Sequence, residues 1–254
     1  MAKSTGPSFF DTYAHEYDLM TDAVAREAYH QEEVAAIIDR FQPHSVLDAG
    51  CATGLTSMLF ARRGIGTVGL DRSRKMIREA RRKYSHLDYP LEFRPGHFER
   101  LPKKLRERFD LVVCLANSIS GTGTLPKLRL ALRQFHAVLK PAGTLVLQLV
   151  NYLTVKERQF QPIKATEHNG IVFERFSSRR GKRFYIYVTR LDLNRKPPDL
   201  KAFVHEFDNF SEREVTTSVG FTGFVKVRKY SDLYLTKKFS RSSRDLVLVC
   251  SKSG

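Results

Sequence analysis

Two carboxylates and a glycine-rich turn carry the first chemical signal in this chain. The stretch Val46 to Asp71 reads VLDAGCATGLTSMLFARRGIGTVGLD, with Asp48 just before Gly50-Cys51-Ala52-Thr53-Gly54 and Asp71 at its far end. The apolar run Ser45 to Leu47 predicts a buried strand that Asp48 closes. Leu55, Met58 and Leu59 predict a helix with an inward face, and Thr67 to Leu70 a second strand tipped by Asp71. Units of this kind bind dinucleotides: the glycines let backbone approach a ligand, and an acidic residue about twenty positions on accepts from a ribose diol. Asp48 argues against a pyrophosphate, which its charge would repel, and for an ammonium or a sulfonium.

S-adenosylmethionine combines a ribose, an adenine, an ammonium and a sulfonium, and it has no phosphate. Val46 to Gly54 resembles VLDxGCGTG, the signature of the class I S-adenosylmethionine-dependent methyltransferases, with Ala52 where that family usually has Gly. If position 52 needs positive φ, Ala costs about 1 kcal/mol there, and a local adjustment of the turn is expected. Phe9 to Asp18 (FFDTYAHEYD) resembles the lead-in segment of small-molecule members, which folds over the cofactor. That likeness puts Tyr13 or Tyr17 near the methyl group, where an aromatic face stabilises a cation. Met76 falls where the family packs an apolar side chain near the adenine. Gly96-His97-Phe98 stands where the family has a GDxxxL turn, with His97 replacing the Asp that accepts from the adenine amine. A neutral imidazole nitrogen could accept the same bond, and the Phe98 amide could read the ring.

Cys114 to Ser118 (CLANS) resembles CLGNSF of the glycine and sarcosine N-methyltransferases, with Ala116 in place of Gly. Asn151-Tyr152 resembles their NYD, with Leu153 replacing the Asp that contacts the acceptor. The cofactor contacts these likenesses imply are Tyr17, Asp48, Ala49, Gly50, Cys51, Thr53, Gly54, Asp71, Arg72, Met76, Gly96, His97, Phe98, Leu115, Ala116 and Asn117. Tyr13, Tyr17, Asn117 and Asn151 are the candidates beside the acceptor. No metal site is expected, since Cys51, Cys114 and Cys250 lack ligand spacing.

Other elements must position these groups. Ala28, Val34, Ile37, Ile38 and Phe41 recur at helical spacing ahead of Pro43. Ser73 caps a predicted helix with Met76, Ile77, Ala80 and Tyr84 inward and a basic opposite face from Arg74 to Lys83. Leu91 to Arg94 reads as strand three and Phe109 to Ser118 as strand four with its exit loop, where Asn117 and Ser118 should face the cofactor, and Thr124 caps a helix through Leu128, Leu132, Phe135 and Leu139. Lys140-Pro141-Ala142-Gly143, similar to the family's LKPGG, reads as a turn into strand five, Thr144 to Val150. Beyond it Gly170 to Ser178, Arg183 to Leu193 and Leu200 to Phe210 alternate apolar and polar residues, as an antiparallel three-stranded insertion would. Arg175, Arg190 and His205 could supply charge to the acceptor pocket from there. Ser211 and Glu214 form a capping box, and Phe224 to Tyr230 with Asp245 to Ser251 complete the sheet.

The expected class is therefore α/β: a doubly wound, seven-stranded, mostly parallel Rossmann-like methyltransferase sheet with an antiparallel β insertion after strand 5. The cofactor domain would take residues 1–150 plus 211–254, and the lid residues 151–210.

With 254 residues and 42% hydrophobic content, the chain suits one α/β domain with an embellishment. No apolar run has the roughly 18 residues that a membrane span needs. The first residues lack the apolar core of a signal peptide, and the cysteines read as free thiols, so the expected compartment is the cytoplasm. A net charge of +16 leaves nucleic acid open as a partner without favouring it, since aromatic–basic interleaving of the RNA-binding type is absent. The leading reading is methyl transfer to a small-molecule amine. RNA or protein modification, and S-adenosylmethionine binding without catalysis, are the alternatives; oligomeric state is left open.

Overall fold

A computed structural model describes residues 9–254, so Ser8 and the stretch before it lie outside the described residues. The chain opens with helices α1 (Phe9–Thr12), α2 (Tyr17–Thr21) and α3 (Ala23–Phe41). Then β1 (Ser45–Ala49), α4 (Leu55–Ala61), β2 (Gly66–Asp71), α5 (Arg74–Tyr84) and β3 (Leu91–Pro95) alternate. Next come β4 (Phe109–Cys114), α6 (Leu125–Val138) and β5 (Leu139–Val150), followed by β6 (Gln161–His168), β7 (Ile171–Arg180), β8 (Arg183–Asp192) and β9 (Asp199–Asp208). α7 (Glu212–Gly220), β10 (Phe224–Tyr230) and β11 (Asp245–Lys252) end the fold.

β1 to β5, β10 and β11 form one seven-stranded sheet in the order β10-β11-β5-β4-β1-β2-β3. β1 to β5 are parallel, and β11 runs antiparallel between β5 and β10. Alternation along the strands divides the core. Leu47, Val112, Cys114 and Leu147 pack against Leu132 and Phe135 of α6 and Val215 and Val219 of α7. Val46, Val113 and Val146 face Ile37 of α3 and Leu59 and Phe60 of α4. Burying both faces is what permits near-continuous apolar central strands. The order also reverses direction beside β1, which leaves a crevice at the strand C-termini.

The caps lie where the residue types place them. Ser73 Oγ accepts from the Met76 amide at 3.1 Å, and Ser211 and Glu214 close a reciprocal box at the start of α7. Two expectations change. Residues 140–143 form no separate turn: β5 starts at Leu139, and its register with β4 shifts between Phe109 and Leu111, with Ala142 at φ 61°. The insertion has four strands, ordered β6-β7-β8-β9, because Gln161–His168 pairs with β7 as an edge.

α1 and α2 join the two sheets. Arg190 of β8 donates twice to Glu16, both bonds at 2.8 Å with both side chains nearly buried. Asp18 accepts from Thr53 Oγ1 at 2.6 Å and from Lys83 at 2.5 Å, and Asp11 accepts from Ser73 Oγ at 2.6 Å.

Candidate functional site

A cleft of about 1170 Å³ lies over the C-terminal ends of β1, β2 and β4, with Phe10 of α1, Tyr17 of α2 and Phe207 of β9 on its outer side. Asp48 and Asp71, from neighbouring strands, line the same wall. Asp48 is only 3% exposed. Burial pushes its carboxyl up to about 7; the 2.6 Å bond from Ser57 Oγ opposes this and the charge of Asp71 adds to it. Asp71 is also raised, chiefly by burial, although the amides of Ser73 (2.8 Å) and Ala52 (3.0 Å) donate to it. Neither carboxylate is ion-paired among the described residues. Two buried acids that lack an ion-pair partner, with only the Arg72 charge near Asp71, favour a cation and repel phosphate.

The turn between them is shaped by protein packing as much as by ligand approach. Gly50, at φ 90°, donates to Leu70 O at 2.7 Å, and a Cβ there would lie 2.6 Å from Ser118. At Gly54, also at φ 90°, a Cβ would meet the Phe93 ring at 2.6 Å. Ala52 does adopt positive φ, 48°, so the turn makes no adjustment to it; its amide is held by Asp71 instead.

Of the expected cofactor contacts, Tyr17, Asp48, Gly50, Cys51, Asp71, Arg72, Met76, His97, Phe98, Leu115, Ala116 and Asn117 line the cleft. Four do not. Ala49 points into the core beneath α6, Thr53 is turned to Asp18, and Gly54 and Gly96 pack on Phe93 and Leu70. On the acceptor side only Tyr17 and Asn117 reach the cleft. Tyr13 is buried with its ring 4.4 Å from Phe203, an anchor between the lead-in and β9. Asn151 is drawn away by the backbone oxygens of Arg241 (2.9 Å) and Ser243 (2.8 Å), to which its Nδ2 donates. The Asn117 oxygen accepts from Ser120 Oγ and the Val150 amide, which ties the β4 exit loop to the end of β5.

The second sheet contributes differently from expectation. Arg190 is consumed by Glu16 and Asp192. His205 sits between the Phe10 and Phe207 rings, at 4.9 and 4.2 Å, and burial, with the Arg72 charge adding, pushes its pKa down to about 4. Arg175 has a buried Nε without a partner, and burial lowers its pKa first, with Arg26 as a like-charged neighbour.

Sequence reasoning missed Phe10, Arg26, His30, Thr56, Glu99, Gly121, Thr122 and Phe207 as lining residues, whereas Ser118 lines the cleft as expected. Arg26 and His30 are one helical turn apart on α3, a spacing visible in sequence but read there only through its apolar face. His30 Nδ1 is 2.8 Å from Glu33 Oε2, and the Arg26 guanidinium lies 5.8 Å from the Tyr17 ring centroid. Glu99 follows His97 by two residues and brings a carboxylate to the end expected to read adenine, where His97 replaces the family's Asp.

Sheet order and crevice are those of the Rossmann-like methyltransferase fold, and the paired acids resemble the cofactor end of the class I S-adenosylmethionine-dependent methyltransferases. Residues 46–143 match the family described as a methyltransferase domain. Similarity extends to the glycine/sarcosine N-methyltransferase of Aphanothece halophytica, 26% identical over 60% of this chain and 58% of that protein. The glycine N-methyltransferase of Rattus norvegicus is 29% identical over 52% of this chain and 48% of its own length. The chain thus spans about half the length of these curated relatives. Among solved structures, an S-adenosylmethionine-bound amino pentose methyltransferase from Micromonospora echinaspora superposes with a TM-score of 0.74 at 21% identity, covering 98% of this chain and 99% of that one. A methyltransferase from Clostridium acetobutylicum gives 0.76 at 14% identity, covering 97% and 100%.

Proposed function

We propose that this protein transfers the methyl group of S-adenosylmethionine to an amine nitrogen of a small molecule that also bears an acidic group. The observation carrying the reading is the pair of buried carboxyl groups without an ion-pair partner, Asp48 and Asp71, at adjacent strand ends in one cleft. The residues fit the cofactor. Asp71 keeps acceptor capacity for a ribose diol beyond its two amide bonds, Asp48 suits the ammonium end, and Met76, Phe98 and Leu115 supply apolar wall for a base. When bound, S-adenosylmethionine supplies an electrophilic methyl group on a sulfonium.

The chain's own residues then orient and exclude. Phe10, Tyr17 and Phe207 shield the outer side of the cleft from water, and the Tyr17 ring offers a face to positive charge. Arg26, beside Arg175 and without a carboxylate partner among the described residues, is placed to hold the acidic group of the acceptor. His30, oriented by Glu33, is the imidazole–carboxylate pair on the wall and would take the proton that an ammonium acceptor must shed. The glycine-type relatives support an amine acceptor with an acidic group, and the amino pentose enzyme supports an amine.

Nucleic acid stays open as a partner on charge and is not favoured. On the basic face of α5, Arg81 is bound to Phe93 O, Arg82 to Glu79 and Lys83 to Asp18, which leaves mainly Arg74, Lys75 and Arg78 outward. No helix among the described residues is long and apolar enough to cross a membrane, and all three cysteines are free and buried, which supports a cytoplasmic, reducing setting.

The test is transfer of a labelled methyl group from S-adenosylmethionine into a size-fractionated cell extract. Label in small amines, abolished by Asp71→Asn and with KM raised by Arg26→Met, is the expected result. Label in nuclease-sensitive material, or none in any fraction, would overturn the reading.

A further inference from the structure

The second sheet has two faces of opposite character. Its inner face, with Phe173 and Val188, packs on Met20 and the lead-in helices and carries Phe207 toward the cleft. The outer face follows from the same alternation: even positions of β7 and β9 and odd positions of β8 point away together. Phe176, Tyr185, Tyr187, Leu191, Leu200 and Val204 sit there in register. Leu200 and Val204 are 64% and 59% exposed, and Phe160, whose ring lies 4.7 Å from Tyr187, is 65% exposed. Among the described residues no helix lies over this face.

Its charge is as unusual as its apolarity. The chain carries 43 Lys and Arg residues and a net +16. Yet the outward positions from 172 to 178, 185 to 191 and 200 to 206 include neither Lys nor Arg. Their two acids are Glu174 and Glu206, and Arg183 at the hairpin end neutralises Glu206 at 3.1 Å. By the same alternation Arg180 and Arg183 face outward at the hairpin end only, so copies of this basic protein repel one another less across the rest of this face.

The three ten-residue strands β7–β9 span up to about 34 Å by 14 Å, roughly 480 Å² before side-chain relief, against roughly 800 Å² per partner in a stable complex. An exposed apolar cluster of a few hundred Å² on a folded domain marks an interaction site. We infer that the outer face of β7–β9 binds a second copy of this chain. Two copies related by a two-fold axis stack sheet on sheet, so the same patch serves both. The two lids then support one another from behind, while each cleft opens on the opposite face of its own lid.

Sedimentation across a concentration series tests this on the full chain. A dimer with Kd of about 1 µM or tighter is expected. Leu200→Asp with Val204→Asp should weaken it at least about 100-fold, since each copy would bury two unpaired carboxylates. Both side chains are exposed in the single copy, so unfolding midpoint and S-adenosylmethionine affinity of the isolated variant should match those of the wild-type monomer. A wild-type chain that stays monomeric at about 100 µM overturns the inference and leaves the face to a different protein. A double variant that dimerises as tightly as wild type overturns it as well.

Discussion

Asp48 should make the unliganded protein less stable at neutral pH than in mild acid. Its carboxyl is raised from 3.8 to about 7, first because it is buried, so ionising it inside the fold costs about 4 kcal/mol relative to the unfolded chain. The sign follows from proton binding. Between pH 4 and 7, approximately, the folded state holds the proton and the unfolded chain has released it. Stability from this group is therefore full below about pH 4, falls through that window, and is level above it. Asp71 is raised for the same first reason and slopes the same way. The clean comparison is thus between wild type and Asp48→Asn, where the amide keeps an oxygen for the Ser57 hydroxyl. Urea unfolding should give nearly equal free energies for the two near pH 4, and a variant more stable by about 2–4 kcal/mol at pH 8, after allowance for the unfilled donors of the amide. S-adenosylmethionine affinity should move oppositely, falling on the order of 10- to 100-fold in the variant. A stability gap that is unchanged between pH 4 and pH 8, or a variant less stable at pH 8, would refute the reasoning.

Two further predictions concern backbone and clasp. Ala52, Ala116 and Ala142 occupy left-handed backbone at φ 48°, 51° and 61°, each where the resembled family has Gly. Replacing each by Gly should stabilise by up to about 1 kcal/mol, the left-handed penalty outweighing glycine's extra unfolded-state entropy; thermal melts raised by about 2 °C apiece would bear this out and lowered ones would not. Arg190→Met leaves Glu16 buried without its cation and should cost about 2–3 kcal/mol, while adding Glu16→Gln should return most of it; an additive double mutant would mean the pair contributes no coupling.

What the sequence disclosed was local. Asp48, the glycine turn and Asp71 lie within one strand–turn–helix–strand unit, so their convergence could be read from spacing alone. Ser73, Thr124 and Ser211 announced their helices because a cap is a contact with the next three residues. The strand Gln161–His168 was less visible: QPIKATEH has a proline and little alternation, as an edge strand tolerates. Which way the inserted strands faced was not readable, because both of their faces carry apolar residues, and only the position of α2 makes one of them the inside. The same distance hid the fate of Asn151 and Arg190. Asn151 is satisfied by backbone some 90 residues on, and Arg190 by a glutamate 174 residues earlier. Arg26 and His30 were in plain view on α3, yet a helix's polar face reads as solvent until something is folded over it.

The bonds from Ser73 to Asp11 and from Thr53 and Lys83 to Asp18 have a consequence for turnover. They fasten the lead-in to the turn after Asp48, to the cap of α5 that follows Asp71, and to α5 itself, the elements that surround the cofactor end of the cleft. Opening the cleft on that side would require those bonds to break, a condition set by two aspartates that do not themselves line it.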